Sequence, residues 1–359
     1  MKKLKLTLIM LLGILLLTAC AKDAKEDRAA VSEKPTRAPA GTTAPEATEA
    51  PETTTAPEAA AEKIDINIAA LKGPTAIGMV KVMDEAAAGT TANNYKFSIE
   101  GTADAITAGM VKGDFDIAAI PCNMASVLYN RTEGGIRLAG INTLGVLYIV
   151  ETGDTIQSVK DLKGKTIYAT GLGTTPQYTL NYILNANGID PDKDVTIEYK
   201  TEATEVASVL ESSEDAVAML PQPYVTTVLM KNEKLRIALN LAQEWDAVSK
   251  DGSTVVTGVV IVNKAFLEKN KEAFDAFMKE YAASASYVNE NIEAAAALTE
   301  KYGIFQAGPM VKAIPDCNIT MLQGDEMKQK VSGYLTVLFN QDPKAVGGKL
   351  PDEEFYYIP

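Results

Sequence analysis

Histidine is missing from all 359 residues. That one absence removes Ser-His-Asp and Cys-His catalysis, histidine-ligated zinc and the usual neutral-pH acid–base group. Three cysteines are too few for a disulfide scaffold. One stands at position 20; Cys122 and Cys317 fall in the body of the chain, and the sequence leaves open whether they pair. Tryptophan occurs once, at 245. No apolar run approaches the roughly 20 residues that a membrane-spanning helix needs. Basic residues are outnumbered, 34 to 47, for a net charge of −13. An acidic surface argues against nucleic acid or anionic lipid as a partner, since both need a basic footprint. No carboxylate or lysine motif for catalysis stands out. The expectation is a protein that is not an enzyme, with no catalytic residue, no cofactor and no metal.

What is present begins with a short apolar stretch, Leu6 to Leu17, preceded by Lys2, Lys3 and Lys5 and followed by Thr18, Ala19 and Cys20. A positive start and a core of 12 residues read as an export signal over residues 1–19 and not as an anchor. The ending Leu17-Thr18-Ala19-Cys20 resembles the bacterial lipoprotein lipobox. The resemblance implies that the Cys20 thiol carries a diacylglyceryl group, tethering the chain to the extracytoplasmic face of the cell membrane. Residues 20–62 fit a tether. They are rich in Ala, Thr, Pro and Glu, with hexads at Ala44-Pro45-Glu46, Ala50-Pro51-Glu52 and Ala56-Pro57-Glu58. So few large apolar groups cannot bury enough surface to fold, and a coil of about 40 residues reaches roughly 35 Å.

The rest of the chain is long enough for two lobes and repeats itself at an offset of 100 residues. Ile68 to Leu71 runs into Lys72-Gly73-Pro74-Thr75, and Tyr168-Ala169 runs into Gly171-Leu172-Gly173-Thr174-Thr175. Ile117 to Ile120 ends in Pro121-Cys122-Asn123, and Val217 to Leu220 ends in Pro221-Gln222-Pro223. Between them lie a strand and a helix each time: Phe97–Glu100 then Ala103–Val111, and Thr196–Tyr199 then Glu202–Leu210. Two units of the same element order predict two similar α/β lobes. Val255–Val262 reads as a strand that recrosses, followed by helices over 271–288, 292–302 and 325–339. The predicted division is 63–150 for the first lobe, 151–256 for the second, and 257–359 for a helical return to the first.

This order resembles the type II periplasmic-binding-protein fold, each lobe a mostly parallel sheet flanked by helices. Gly113-Asp114-Phe115-Asp116, Asp161-Leu162-Lys163-Gly164-Lys165 and Gly173-Thr174-Thr175-Pro176 are similar to the nitrate/sulfonate/taurine and thiamine-pyrimidine-precursor binders. Membership implies the solute-binding component of an ABC importer, a monomer whose partners are a small-molecule solute, a permease and its ATPase. An oxyanion such as a sulfonate, nitrate or bicarbonate is the first expectation for the solute. A neutral heteroaromatic such as a thiamine-pyrimidine precursor is the second. A menaquinone-pathway-like enzyme shares the fold, but an export signal argues against it.

In such sheets a ligand sits beyond the carboxyl ends of the strands, where helices begin. Those edges fall at Lys72–Thr75, Gly101-Thr102, Asn123, Gly173–Thr175, Thr201 and Gln222. Helix N-termini offer free N–H groups and threonine hydroxyls both donate and accept, so the expected ligand contacts are Thr75, Thr102, Asn123, Gly173, Thr174, Thr175 and Tyr224. Pro121 and Pro221 read as strand ends, and Trp245 as core or hinge.

Overall fold

The computed structural model describes residues 62–249 and 252–359. The signal, Cys20 and the tether lie outside the described residues. In chain order the first unit comprises β1 (Asp65–Leu71), α1 (Pro74–Ile77), α2 (Val80–Ala87), β2 (Asn94–Glu100), α3 (Ala103–Lys112), β3 (Ile117–Pro121), α4 (Cys122–Arg131) and β4 (Ile136–Leu144). The second comprises β5 (Leu147–Thr152), β6 (Thr166–Ala169), α5 (Thr175–Ala186), β7 (Thr196–Tyr199), α6 (Ala203–Ser212), β8 (Val217–Pro221), α7 (Tyr224–Lys231), β9 (Leu235–Asn240) and α8 (Leu241–Val248). The return holds β10 (Val256–Asn263), α9 (Lys264–Lys269), α10 (Lys271–Glu290), α11 (Ile292–Lys301), α12 (Ala307–Ala313), β11 (Ile319–Leu322) and α13 (Gly324–Gln341).

These strands form two separate sheets, ordered β11-β4-β10-β3-β1-β2 and β7-β6-β8-β5-β9. The inner order is the same in both, and each has one antiparallel strand wedged between the third and fourth of its unit. That strand is β10 in the first sheet, paired to β3 and β4. In the second it is β5, paired to β8 and β9. Pro121 lies opposite Gly258, and Pro221 opposite Leu147. β3 is buried along its whole length, as a strand covered by helices on both faces must be.

The seam falls between Leu144 and Leu147, earlier than the division at 150/151. Val146 to Val150 reads locally as an apolar tail of the first unit, but antiparallel pairing with β8 makes β5 part of the second sheet. The return also differs from expectation. Its helices α10 and α11 cover the first sheet, with Phe274, Phe277 and Tyr281 fully buried. Helix α13, however, packs on both lobes: Tyr334 Oη and Thr179 Oγ1 are 3.1 Å apart, and Gln341 Nε2 donates to the Tyr178 carbonyl at 3.3 Å. Trp245 is buried beside it, 4.2 Å from the Tyr182 ring and 5.3 Å from that of Tyr334. One apolar cluster therefore runs from Ile120 through Ile149 to Trp245 and Tyr334 without a break. The tail closes on the first lobe, where Phe355 meets Tyr129 edge-on at 5.0 Å. Cys122 and Cys317 are free and buried. Burial pushes both thiols up.

Candidate ligand cleft between the two lobes

A cleft of about 560 Å³ opens where the carboxyl ends of the two sheets face each other. From the first lobe come Leu71, Lys72, Thr75, Ile99, Gly101 and Pro121; from the second, Thr170, Gly171, Thr174, Thr175, Thr201 and Pro221. The crossing strands add Leu147 and Thr257. Lys72 and Glu202 are the charged residues on this wall among the described residues, and no arginine is among them.

The start of α5 is shaped by its own turn. Gly171 has φ +80°, and a Cβ there would lie 2.6 Å from Pro176 Cγ and 2.8 Å from Thr174 Oγ1. Thr174 turns its hydroxyl back to donate to the Gly171 carbonyl at 2.9 Å. It therefore gives α5 no side-chain cap, and the positive end of a 12-residue helix is left facing the cleft. Helix α6, beginning on the same wall, is different: the Glu202 carboxylate and Glu205 form a reciprocal capping box, so its end is already neutralised. Thr175, fully buried, has a hydroxyl with no hydrogen-bond partner, and so does Thr257. The Tyr334 phenol bonds to Thr179 at 3.1 Å and lies close enough to the Thr175 hydroxyl to interact with it. Unpaired buried hydroxyls are costly in an empty protein, and both residues belong to the cleft wall.

Thr75 lines the cleft, and its Oγ1 donates to the Leu71 carbonyl at 2.7 Å, which leaves the oxygen able to accept. Its seat depends on Gly258 across the sheet, where a Cβ would meet Thr75 Cγ2 and Asn142 Oδ1, both at 2.5 Å. Tyr224 lines the second-lobe side. Burial and then the Glu202 charge raise its phenol, so at neutral pH it stays a hydrogen-bond donor.

Three expected contacts sit elsewhere. Thr102 caps α3, accepting from Ala105 N at 3.3 Å. Asn123 is fully buried behind the wall, where Nδ2 donates to the carbonyls of Gly173 and Ala345, each at 3.2 Å. Gly173 turns its carbonyl to that amide, and its N–H donates to Gln177 Oε1 at 2.7 Å. None of the three lines the cleft. Conversely, Thr170, Gly171, Thr204 and Thr257 line it without having been expected. The offset of 100 offers a signal for part of this, since Thr170 matches Ala70 at the end of β1 and Thr201 matches Gly101 at the end of β2. Pro121 and Pro221 end their strands as expected and also line the cleft.

Two lobes of one strand order, each with an antiparallel strand from the crossing chain and with the cleft at their facing edges, define the type II periplasmic-binding-protein fold. Residues 136–295 match the family model described as NMT1/THI5 like. An ABC transporter protein from Parabacteroides distasonis is similar in structure, with 28% identity and a TM-score of 0.68 over 81% of this chain and 98% of that one. The periplasmic aliphatic sulphonate binding protein SsuA from Escherichia coli shares the fold at 14% identity, TM-score 0.65, covering 82% and 92%. So does the alkanesulfonate-binding protein SsuA from Xanthomonas axonopodis pv. citri bound to MOPS, at 12% identity and TM-score 0.62 over 81% and 96%. No curated protein matches the sequence. Among the described residues, no helix is long and apolar enough to cross a membrane, and no cluster of three acidic or thiol side chains is placed to hold a metal ion.

Proposed function

We propose that this protein is the extracytoplasmic solute-binding component of an ABC importer, anchored through Cys20, and that its cleft takes a small organic oxyanion of the sulfonate kind. The observation that carries the reading is the uncapped N-terminus of α5 beside the unpaired hydroxyls of Thr175 and Thr257. Backbone N–H groups, a dipole end and free hydroxyls suit an anionic head. A space of about 560 Å³ with apolar walls of Leu71, Ile99 and Leu147 far exceeds a bare nitrate or bicarbonate and favours an organic body. Two of the similar structures are sulfonate binders by name. A neutral heteroaromatic such as a thiamine-pyrimidine precursor is the second reading, favoured by Tyr224 and by a wall without arginine.

Mass spectrometry of solute released from the purified protein, with calorimetry against alkanesulfonates and aminopyrimidines, tests the site. Binding of the pyrimidines alone would replace the first reading by the second, and conversion of a bound solute would overturn both. The anchor is tested separately: Cys20→Ser should release the protein from membranes and leave affinity unchanged. Membrane fractionation as strong as the parent's would sink the lipid anchor. The role itself needs a permease and ATPase partner, which co-purification from membranes would reveal.

A further inference from the structure

A second cavity, of about 440 Å³, lies against the cleft. Lys72, Thr204 and Tyr224 line both spaces, so the two share a wall. The far side is made by both lobes: Ala207 and Ser208 of α6 from the second, and Ile304 and Phe305 of the α11–α12 connection with Pro309 of α12 from the first. Tyr224, on the shared wall, meets Phe305 of the outer cavity edge-to-face, 5.1 Å between centroids at 88°. Three of the charges on the far side have partners within the protein. Lys231 pairs with Glu211 at 2.9 Å, and Glu300 accepts from Ala307 N at 3.2 Å. Lys72 stands on the wall shared with the cleft, where it can meet an anionic head, while the far side presents Ala207, Ile304, Phe305 and Pro309. That side has room for carbon.

We infer that this outer cavity is the second half of the solute site, taking an alkyl or aryl tail of the solute whose polar head lies among the cleft threonines. Tyr224 then lies beside the tail where it leaves the cleft, and Phe305 packs against it in the outer cavity. The inference rests on the reading of the cleft as the solute site, and it makes the solute an elongated, two-part molecule.

The test is calorimetry on n-alkanesulfonates of two, four, six and eight carbons, and on aminopyrimidines bearing the same chains. The proteins compared are the parent, Ser208→Trp and Phe305→Ala. Ser208 is exposed on α6 and lines the outer cavity alone, so tryptophan there fills that space without touching the cleft. Apolar burial predicts that the parent binds the longest member of the active series at least about tenfold more tightly than the shortest. Ser208→Trp should abolish that gain while holding the two-carbon member like the parent, and Phe305→Ala should reduce the gain in part. Thermal melting checks that both variants are folded. Affinity independent of chain length, or a gain that survives in Ser208→Trp, overturns the outer site and leaves the cleft standing. If no member of either series binds the parent, the reading of the cleft fails and takes this inference with it.

Discussion

The side-chain amide of Asn123 donates to the carbonyl of Gly173 at 3.2 Å, a hydrogen bond that crosses from the first lobe to the second. Its other donor bond, to Ala345, ties the same amide to the C-terminal segment. Asn123→Ala would strand two carbonyls at a buried junction. The expected loss is about 1–3 kcal/mol of unfolding free energy. Urea unfolding measures it, and small-angle scattering of the solute-free variant should show a larger radius of gyration. Unchanged stability would mean that water replaces the amide.

Thr175 and Thr174 stand side by side yet should respond oppositely. Thr175→Val keeps the shape and removes a hydroxyl that has no partner in the empty protein. Stability should therefore rise by about 1 kcal/mol, while solute affinity should fall by about 1–3 kcal/mol. Thr174→Val breaks the bond to Gly171 and should cost about 1 kcal/mol of stability. Paired calorimetry and thermal melts distinguish the two. Equal affinity for Thr175→Val and the parent would place the solute away from α5.

Gly258 is the backbone surface against which Thr75 and Asn142 rest. An added methyl 2.5 Å from both must push one aside, so Gly258→Ala should destabilise by about 1–3 kcal/mol and weaken binding through Thr75. A crystal structure of the variant in which Thr75 had not moved would refute this.

Glu151, almost fully buried, sets a pH dependence. Burial alone would raise its carboxyl, but the Ile156 and Thr155 N–H groups, the Thr155 hydroxyl and Arg236 at 2.5 Å hold it below the usual range. A depressed carboxyl lends stability that is complete above its unfolded value of about 4.3 and fades as pH falls through the folded value. Melting temperature should therefore drop with acidification below about pH 5, and Glu151→Gln should flatten that slope at the cost of a lower plateau. Arg236→Ala, leaving the carboxylate buried and short of its cation, should cost about 2–4 kcal/mol at neutral pH. A slope identical in Glu151→Gln and the parent would assign the acid sensitivity to other groups.

The element order was legible because the apolar strands and their Gly/Thr or Pro turns recur at one offset, as Ile117–Pro121 and Val217–Pro221 do. Pairing partners were not. Val146–Val150 and Val255–Val262 are equally apolar, and nothing local tells that each inserts antiparallel into a sheet. The cleft followed the same division. Thr75, Thr174 and Thr175 stand on its wall because a strand-to-helix turn fixes where the backbone lies. Asn123 occupies an equivalent turn, but its amide points into the junction, since side-chain direction depends on acceptors supplied by Gly173 and by Ala345, far along the chain. Thr257 carries no local signal of its position, which is set by a strand whose neighbours arrive from another part of the sequence.

The insertion of β10 between β3 and β4 has a consequence for assembly. All five strands of the second sheet lie between residues 147 and 240, an uninterrupted stretch. The first sheet holds β3 and β4 at residues 117–144 without the strand that separates them until residue 263 follows. A chain emerging N-terminus first can thus complete its second lobe while the first still carries an open slot one strand wide. Whatever guards that slot, or keeps β3 and β4 from closing on each other in the wrong register, acts during the interval in which about 120 residues are made.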